Sequence, residues 1–325
     1  MEKIKIGIAG FGNIGKAMIK VIDNNKDMEI VGVFTRRDPK SLDIENVPAF
    51  HIDDMKDFTD KVDVMLLCGG SATDLPEQGP AFAKMFNTVD SFDTHNDIPE
   101  YLKKMNESSE SGKKIAVVAT GWDPGLFSIN RLYGKAFLPG SQTYSFWGEG
   151  VSQGHSQAVR AVNGVENAVQ YTIPVAEAME RVREGKLPIL TTKEKHVRIV
   201  YVVPEEDANR NEIEQEIKSM PNYFADYNTT VFFITQEELA KNHSKMSHGG
   251  FVITSGKTSE ENNQIMEYSL KLESNPEFTA SVMVAYARAA HRLHQKGETG
   301  ARTVFDIAPS MLCAEDINEL IKEIL

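Results

Sequence analysis

The stretch from Ile4 to Arg37 leaves this chain few folds to choose from. The apolar run Ile4-Lys5-Ile6-Gly7-Ile8-Ala9 leads into Gly10-Phe11-Gly12-Asn13-Ile14-Gly15, a helical pattern follows, and a second apolar run ends at Thr35-Arg36-Arg37. A GxGxxG string alone is weak, but here it joins a strand to a helix, as a dinucleotide-binding βαβ unit requires. Gly10 permits the tight turn, Gly12 lets backbone approach a pyrophosphate, and Gly15 lets helix pack closely on strand. Asn13 and Ile14 open a helix whose first N–H groups and partial positive charge suit that pyrophosphate.

The second strand ends where an NAD-binding protein carries an acid for the adenosine ribose. This chain has Thr35, Arg36 and Arg37 instead. Guanidinium groups bind a 2′-phosphate by charge-assisted, bidentate hydrogen bonds, whereas an acid repels it. The expected cofactor is therefore NADP(H). Asp38 falls one step beyond the pair and is expected to face solvent or cap the next turn.

The first third continues in alternation. A buried-type strand at Val62–Cys68 precedes the loop Gly69-Gly70-Ser71-Ala72-Thr73. A helix ending near Phe86, a strand at Thr88–Phe92, a helix at Ile98–Ser111 and a strand at Lys114–Ala119 follow. That grammar predicts an α/β, doubly wound Rossmann-type parallel sheet, with ligands beyond the carboxyl ends of its strands. The rule selects Cys68 to Thr73, Ser91 to Asp93 and Gly121 to Asp123 as rim. Cys68, Gly69, Ser71, Ala72, Thr73, Ser91, Phe92 and Asp93 thus join the glycine turn and Thr35-Arg36-Arg37 as cofactor-binding candidates.

After about residue 125 the pattern changes to strands at 144–147, 168–173, 196–203, 229–235, 250–254 and 265–272, with helices at 175–183 and 207–219. This predicts a second, α+β domain with a mixed or antiparallel sheet and helices on one face. The expected division is 1–121 for the dinucleotide domain and 122–297 for the second. The segment from about 298 to 325 is expected to return to the first. A helix is expected over 276–295, ending at Gly297, and residues 106–114 read as the most linker-like stretch.

A chain of 325 residues can hold two cores, and no apolar stretch approaches the roughly eighteen residues of a membrane span. No leader is expected before the first strand. The net charge of −12, without a basic cluster interleaved with aromatics, argues against nucleic acid. Cys68 and Cys313 are the only cysteines, far apart and without CxxC spacing. That speaks against a disulfide framework or zinc site and fits a reducing cytoplasm.

Asp93 and Asp123 stand on separate rim loops. Such carboxylates either hold an ammonium group beside the nicotinamide or serve as turn residues. Trp122 and Trp147 flank strand ends, as walls of a polar pocket or as ordinary core. The second domain offers Arg198 and Thr172 in strands, His248 before Gly249-Gly250, and Asn275 before Pro276. Strand alternation by itself points Arg198 to solvent. His291 and His294 share a helical face without an evident third metal ligand, and no metal is expected. Cys68 reads as a small packed residue rather than a nucleophile.

Longer strings narrow the choice. Ser71-Ala72-Thr73-Asp74-Leu75-Pro76-Glu77-Gln78, Thr120-Gly121-Trp122-Asp123-Pro124-Gly125, Phe146-Trp147-Gly148 with Ser152-Gln153-Gly154-His155-Ser156, Ala168-Val169-Gln170-Tyr171-Thr172, His248-Gly249-Gly250 and Asn275-Pro276 together resemble the meso-diaminopimelate dehydrogenases. The resemblance covers essentially the whole chain. It implies NADP-dependent oxidative deamination of meso-2,6-diaminopimelate at its D-centre. It also implies substrate contacts at Asp93, Trp122, Asp123, Trp147, Gln153, Gly154, Thr172, Arg198, His248 and Asn275. Asp93 and Asp123 would engage the reacting centre, while Arg198, Thr172 and His248 would bind the distal carboxylate and Asn275 would assist there. A homodimer formed through the second domain is implied as well. The competing readings are another small-substrate oxidoreductase, such as one like dihydrodipicolinate reductase, and a non-catalytic NADPH sensor.

Overall fold

The computed structural model describes residues 2–325. They divide into one unit of residues 2–129 with 276–325, and a second of residues 130–275. In the first unit seven strands form one parallel sheet, in the order Gly300–Arg302, Ile115–Val117, Asn87–Asp90, Val64–Leu67, Ile4–Ala9, Met28–Thr35, Ala49–His51. Helices cover both faces, so Val64 to Leu67 and Asn87 to Asp90 are buried on both sides and read as continuous runs. Strand order reverses between Ile4–Ala9 and Val64–Leu67, and a ligand crevice belongs beyond their carboxyl ends.

The helix expected at Ile98–Ser111 spans Ile98–Gly112, so most of residues 106–114, read as the most linker-like stretch, is helical. Polarity misled the reading there. Ser108 and Ser109 are buried, and Ser109 Oγ donates to the Met105 carbonyl at 2.7 Å. Lys113, in the left-handed conformation (φ 54°), stops the helix.

The expected border at 297 also shifts. The helix Asn275–Gln295 presents Val282, Met283, Tyr286, Ala287, Ala290 and Leu293 to the core around Ile4, Ile6 and Ile8. Arg288, 4% exposed, fastens it further. Its Nε and Nη2 donate to Asp27 at 2.5 and 2.9 Å, and its Nη1 donates to the Leu312 carbonyl at 2.7 Å. The helix therefore packs with the dinucleotide unit, and the chain returns there at Pro276.

The second unit holds two sheets rather than one. A mixed sheet runs Asn228–Phe233, His196–Pro204, Val165–Pro174, Gly150–Val151; an antiparallel one runs Asn263–Leu272, His248–Lys257, Gln142–Trp147. The helices Gln153–Arg160 and Arg210–Ser219 send Val159, Ile213 and Ile217 into one core with Val200 and Val202. A smaller core gathers Tyr144, Phe146, Val182 and Ile253.

Candidate active site

A cleft of about 380 Å³ opens at the strand-order reversal, lined by Gly10, Gly12, Thr35, Arg36, Arg37, Cys68 and Gly69, with Phe11, Phe34, Ile52, Gly70, Asp74 and Gln78. The three glycines meet the three demands placed on them. Gly10 has φ +99°, a region disfavoured for residues with a Cβ. A Cβ on Gly12 would meet nothing within 4 Å, so that backbone faces open space. A Cβ on Gly15 would lie 2.2 Å from the Gly10 carbonyl oxygen, so helix and turn touch. No side chain caps the helix Asn13–Asp23, and its first turn holds no acid. Ile14 also packs against the core. The cleft thus fits a dinucleotide by its backbone and by the charge at its end.

Arg37 Nη2 donates to the Phe11 carbonyl at 2.6 Å, which holds this guanidinium by the glycine turn. Arg36 pairs with Asp74 at 2.7 Å, its side chain two-thirds exposed. Asp74 also accepts from the Gly70 N–H at 3.0 Å and so shapes the loop of Ser71, Ala72 and Thr73. The sequence reading passed over Asp74, although it stands in the same motif. Asp38 caps the following turn, accepting from the Lys40 N–H at 3.0 Å. Cys68 is buried, and burial pushes its thiol up to about 12, which makes it inert as a nucleophile.

The other two rim loops meet at Asp90. This carboxylate, 0% exposed, ends the strand Asn87–Asp90. Its Oδ1 accepts from the Phe92 and Ala119 N–H groups, both at 3.0 Å, and its Oδ2 accepts from Tyr101 at 3.0 Å. Burial raises its pKa to about 6 against the pull of those donors. Phe92 is 2% exposed and stacks on Tyr101 with centroids 4.1 Å apart. Ser91 precedes it, half-buried. Asp93 is exposed, and its N–H donates to Ser71 Oγ at 3.1 Å, tying this loop to the phosphate-side loop. Trp122 is 8% exposed and meets Phe127 edge-on at 5.2 Å, with Asp123 half-buried beside it.

In the second unit a row of paired residues crosses four strands: Thr229, Arg198, Thr172, Gly150. Arg198 is 6% exposed, not solvated. Alternation put it on the face shared with His196, Val200 and Val202, and that face is the buried one. Its guanidinium donates to Thr172 Oγ1 and lies 3.9 Å from the centroid of the Tyr227 ring. Burial lowers its pKa. Arg198 Nε, Gln170 Oε1, His155 Nε2 and Thr229 Oγ1 are buried polar atoms without a protein partner among the described residues, a pattern that suits a polar ligand. His248 stands close by: a Cβ on Gly150 would lie 2.4 Å from its Cα. Gln153 and Gly154 are exposed at the start of their helix, and Gln153 Nε2 lies 3.5 Å from Met246 Sδ. The Asn275 N–H donates to the Met246 carbonyl at 2.9 Å.

Trp147 ends its strand half-buried and stacks on His196 with centroids 5.3 Å apart. The Trp147 N–H donates to His196 Nε2 at 2.8 Å, so this imidazole is neutral, and burial holds its pKa down at about 3. His196 and Asp90 escaped the sequence reading because key partners, Trp147 and Ala119, lie far along the chain, and Gln170 because its burial is not visible in its neighbours. A polar residue on the buried side of an alternating strand is the one signal that could have revealed them. Among the described residues, no three His, Cys, Asp or Glu side chains come together as a metal site.

Comparison with known proteins gives one answer along the length of the chain. The model for the diaminopimelic acid dehydrogenase C-terminal domain matches residues 121–274, and that for a CoA binding domain matches residues 1–74. The chain is 58% identical to the meso-diaminopimelate D-dehydrogenase of Ureibacillus thermosphaericus, with 100% of both chains covered. Its structure is similar to that of the Corynebacterium glutamicum DAP dehydrogenase in complex with DAP, at 46% identity and a TM-score of 0.94, covering 100% of both chains. It is also similar to an engineered D-amino acid dehydrogenase bound to NADP+, at 44% identity and a TM-score of 0.89, covering 99% of this chain and 100% of the other. This chain therefore belongs to the meso-diaminopimelate D-dehydrogenase family.

Proposed function

We propose that the protein oxidatively deaminates meso-2,6-diaminopimelate at its D-centre, with NADP+ as oxidant. The products are L-2-amino-6-oxopimelate, ammonium, NADPH and a proton. The reading is carried by family membership over the full length, with relatives solved holding DAP and NADP+. In this chain Gly10, Gly12, Arg36 and Arg37 hold the cofactor. NADP+ held there would take the hydride from the D-centre carbon once its ammonium group has given up a proton to solvent, and water would hydrolyse the resulting imine.

The side chains divide the substrate by charge. Asp93 and Asp123 hold the ammonium group of the reacting centre. Arg198 and Thr172, with His248 beside them, take the distal carboxylate, and Asn275 assists at that end. Trp122 and Trp147 give flat walls that exclude water, and Gln153 and Gly154 complete the contacts. None of these groups is a strong base poised over the reacting carbon, so orientation carries most of the rate. The protein acts as a homodimer through its second unit, where Phe232 and Ile265 are exposed on strands.

The test follows NADPH absorbance with the meso, D,D and L,L isomers, and sediments the same preparation. Reduction of NADP+ with the meso isomer, none with the L,L isomer, and a dimer are expected. Turnover of a cyclic dihydropyridine acid instead, or NADPH binding without turnover of any isomer, would refute the assignment.

A further inference from the structure

We propose that Asp90 is a positioning residue, whose buried carboxylate sets the two rim loops carrying Asp93 and Asp123 in register for the reaction. The inference rests on the functional reading above, which gives those two acids the reacting centre.

The geometry is that of a single clamp. One oxygen, Oδ1, accepts both the Phe92 N–H, next to Asp93, and the Ala119 N–H, which opens the loop of Trp122 and Asp123. The Asp90 carbonyl accepts twice more from that second loop, from the Thr120 N–H and from Thr120 Oγ1, both at 2.8 Å. Tyr101 anchors Oδ2 at 3.0 Å, and its ring stacks on Phe92. Ala119 is held at φ +56°, a conformation rare for a residue with a Cβ, and its N–H is one of the bonds made to Asp90. The clamp thus stabilises a backbone turn that local propensity alone disfavours. Asp90 is 0% exposed and does not line the cleft described above, so it acts through its neighbours.

An asparagine keeps the design. Its Oδ1 still accepts from Phe92 and Ala119, and its amide donates to the Tyr101 oxygen. An alanine leaves two buried N–H groups without an acceptor.

The experiment compares the parent with Asp90→Ala and Asp90→Asn. It reads kcat, KM for meso-diaminopimelate, NADPH affinity, and amide hydrogen exchange over residues 91–97 and 119–125. Asp90→Ala is expected to lower kcat/KM by about 30-fold or more per NADPH-binding site, to leave NADPH affinity within about threefold, and to speed exchange selectively in both loops. Asp90→Asn is expected to recover activity to within about fivefold. An Asp90→Ala protein with kcat/KM within about threefold of the parent, or with NADPH affinity falling in step with activity, overturns the proposal. Should that variant not fold, Thr120→Val decides: a drop of about fivefold or more with cofactor affinity intact supports the clamp, and no change overturns it. Loop exchange is read without turnover, so unchanged exchange sinks the clamp even where the substrate assignment itself has failed.

Discussion

Arg36 and Arg37 show how charge chemistry at two positions decides the cofactor. Arg36 is paired with Asp74, but an ion pair that exposed is worth about 0–1 kcal/mol. A 2′-phosphate offers more charge and more acceptor oxygens, so the guanidinium exchanges partners at little cost. Each charge-assisted bond to that phosphate contributes about 1.5–3 kcal/mol, or roughly 10- to 100-fold in affinity. Replacing both, as Arg36→Ala with Arg37→Ala, should weaken NADP+ by at least the lower figure while NAD+ changes little. Isothermal titration with the two cofactors measures this directly. Parallel losses for NADP+ and NAD+ would mean that these arginines support the fold of the cleft and do not read the phosphate.

Elements were legible in the sequence where their cause is local. The glycine turn, the strand alternation and the helix over 276–295 each follow from neighbours within a few residues, and each stands where the pattern put it. The misread pieces depend on distant partners. Polarity at 106–114 suggested a linker, yet the helix buries two of those serines. Alternation alone pointed Arg198 to solvent, because period 2 gives two faces without saying which one is buried; the family resemblance was what set it against a substrate carboxylate, and it is buried. Asp90 and His196 were silent for the same reason, with partners 29 and 49 residues away. The placement of the helix Asn275–Gln295 in the first unit likewise rests on a remote bond, Arg288 with Asp27. Asp27 keeps its carboxyl below the usual range because Arg288 hydrogen-bonds it. Asp27→Ala would strand a guanidinium that is 4% exposed, at about 3 kcal/mol if the loss resembles other broken buried pairs. Urea unfolding of the first unit should show it. A loss below about 0.5 kcal/mol would place the helix's anchorage in its apolar face alone.

At three groups shifted by burial, acid acts with opposite sign in the two units. In the second unit His196 is depressed to about 3 and His155 to about 4, both by burial first, with the charge on Arg198 adding to it. Between those values and the ordinary 6.5 the unfolded chain binds protons that the folded unit refuses. Their stabilising contribution is therefore complete above about pH 6.5 and is lost as pH falls toward 4 and 3. In the first unit Asp90 is raised to about 6 from an ordinary 3.8, so there the folded state holds the extra proton. Its contribution is complete below about pH 4 and is lost as pH rises through 6. Moving from pH 7.5 to pH 5 thus relieves the first unit at Asp90 and weakens the second at both histidines. Hydrogen exchange should accelerate in the strand His196–Pro204 before it does in Ile4–Ala9 as the solution is acidified. His196→Gln keeps an oxygen to accept the Trp147 N–H but cannot take up a proton in this range, so it should flatten the acid dependence of the second unit. If parent and variant lose stability with the same slope between pH 6.5 and 4.5, His196 is not the group that titrates, and the acid sensitivity must be sought in His155 or the carboxylates.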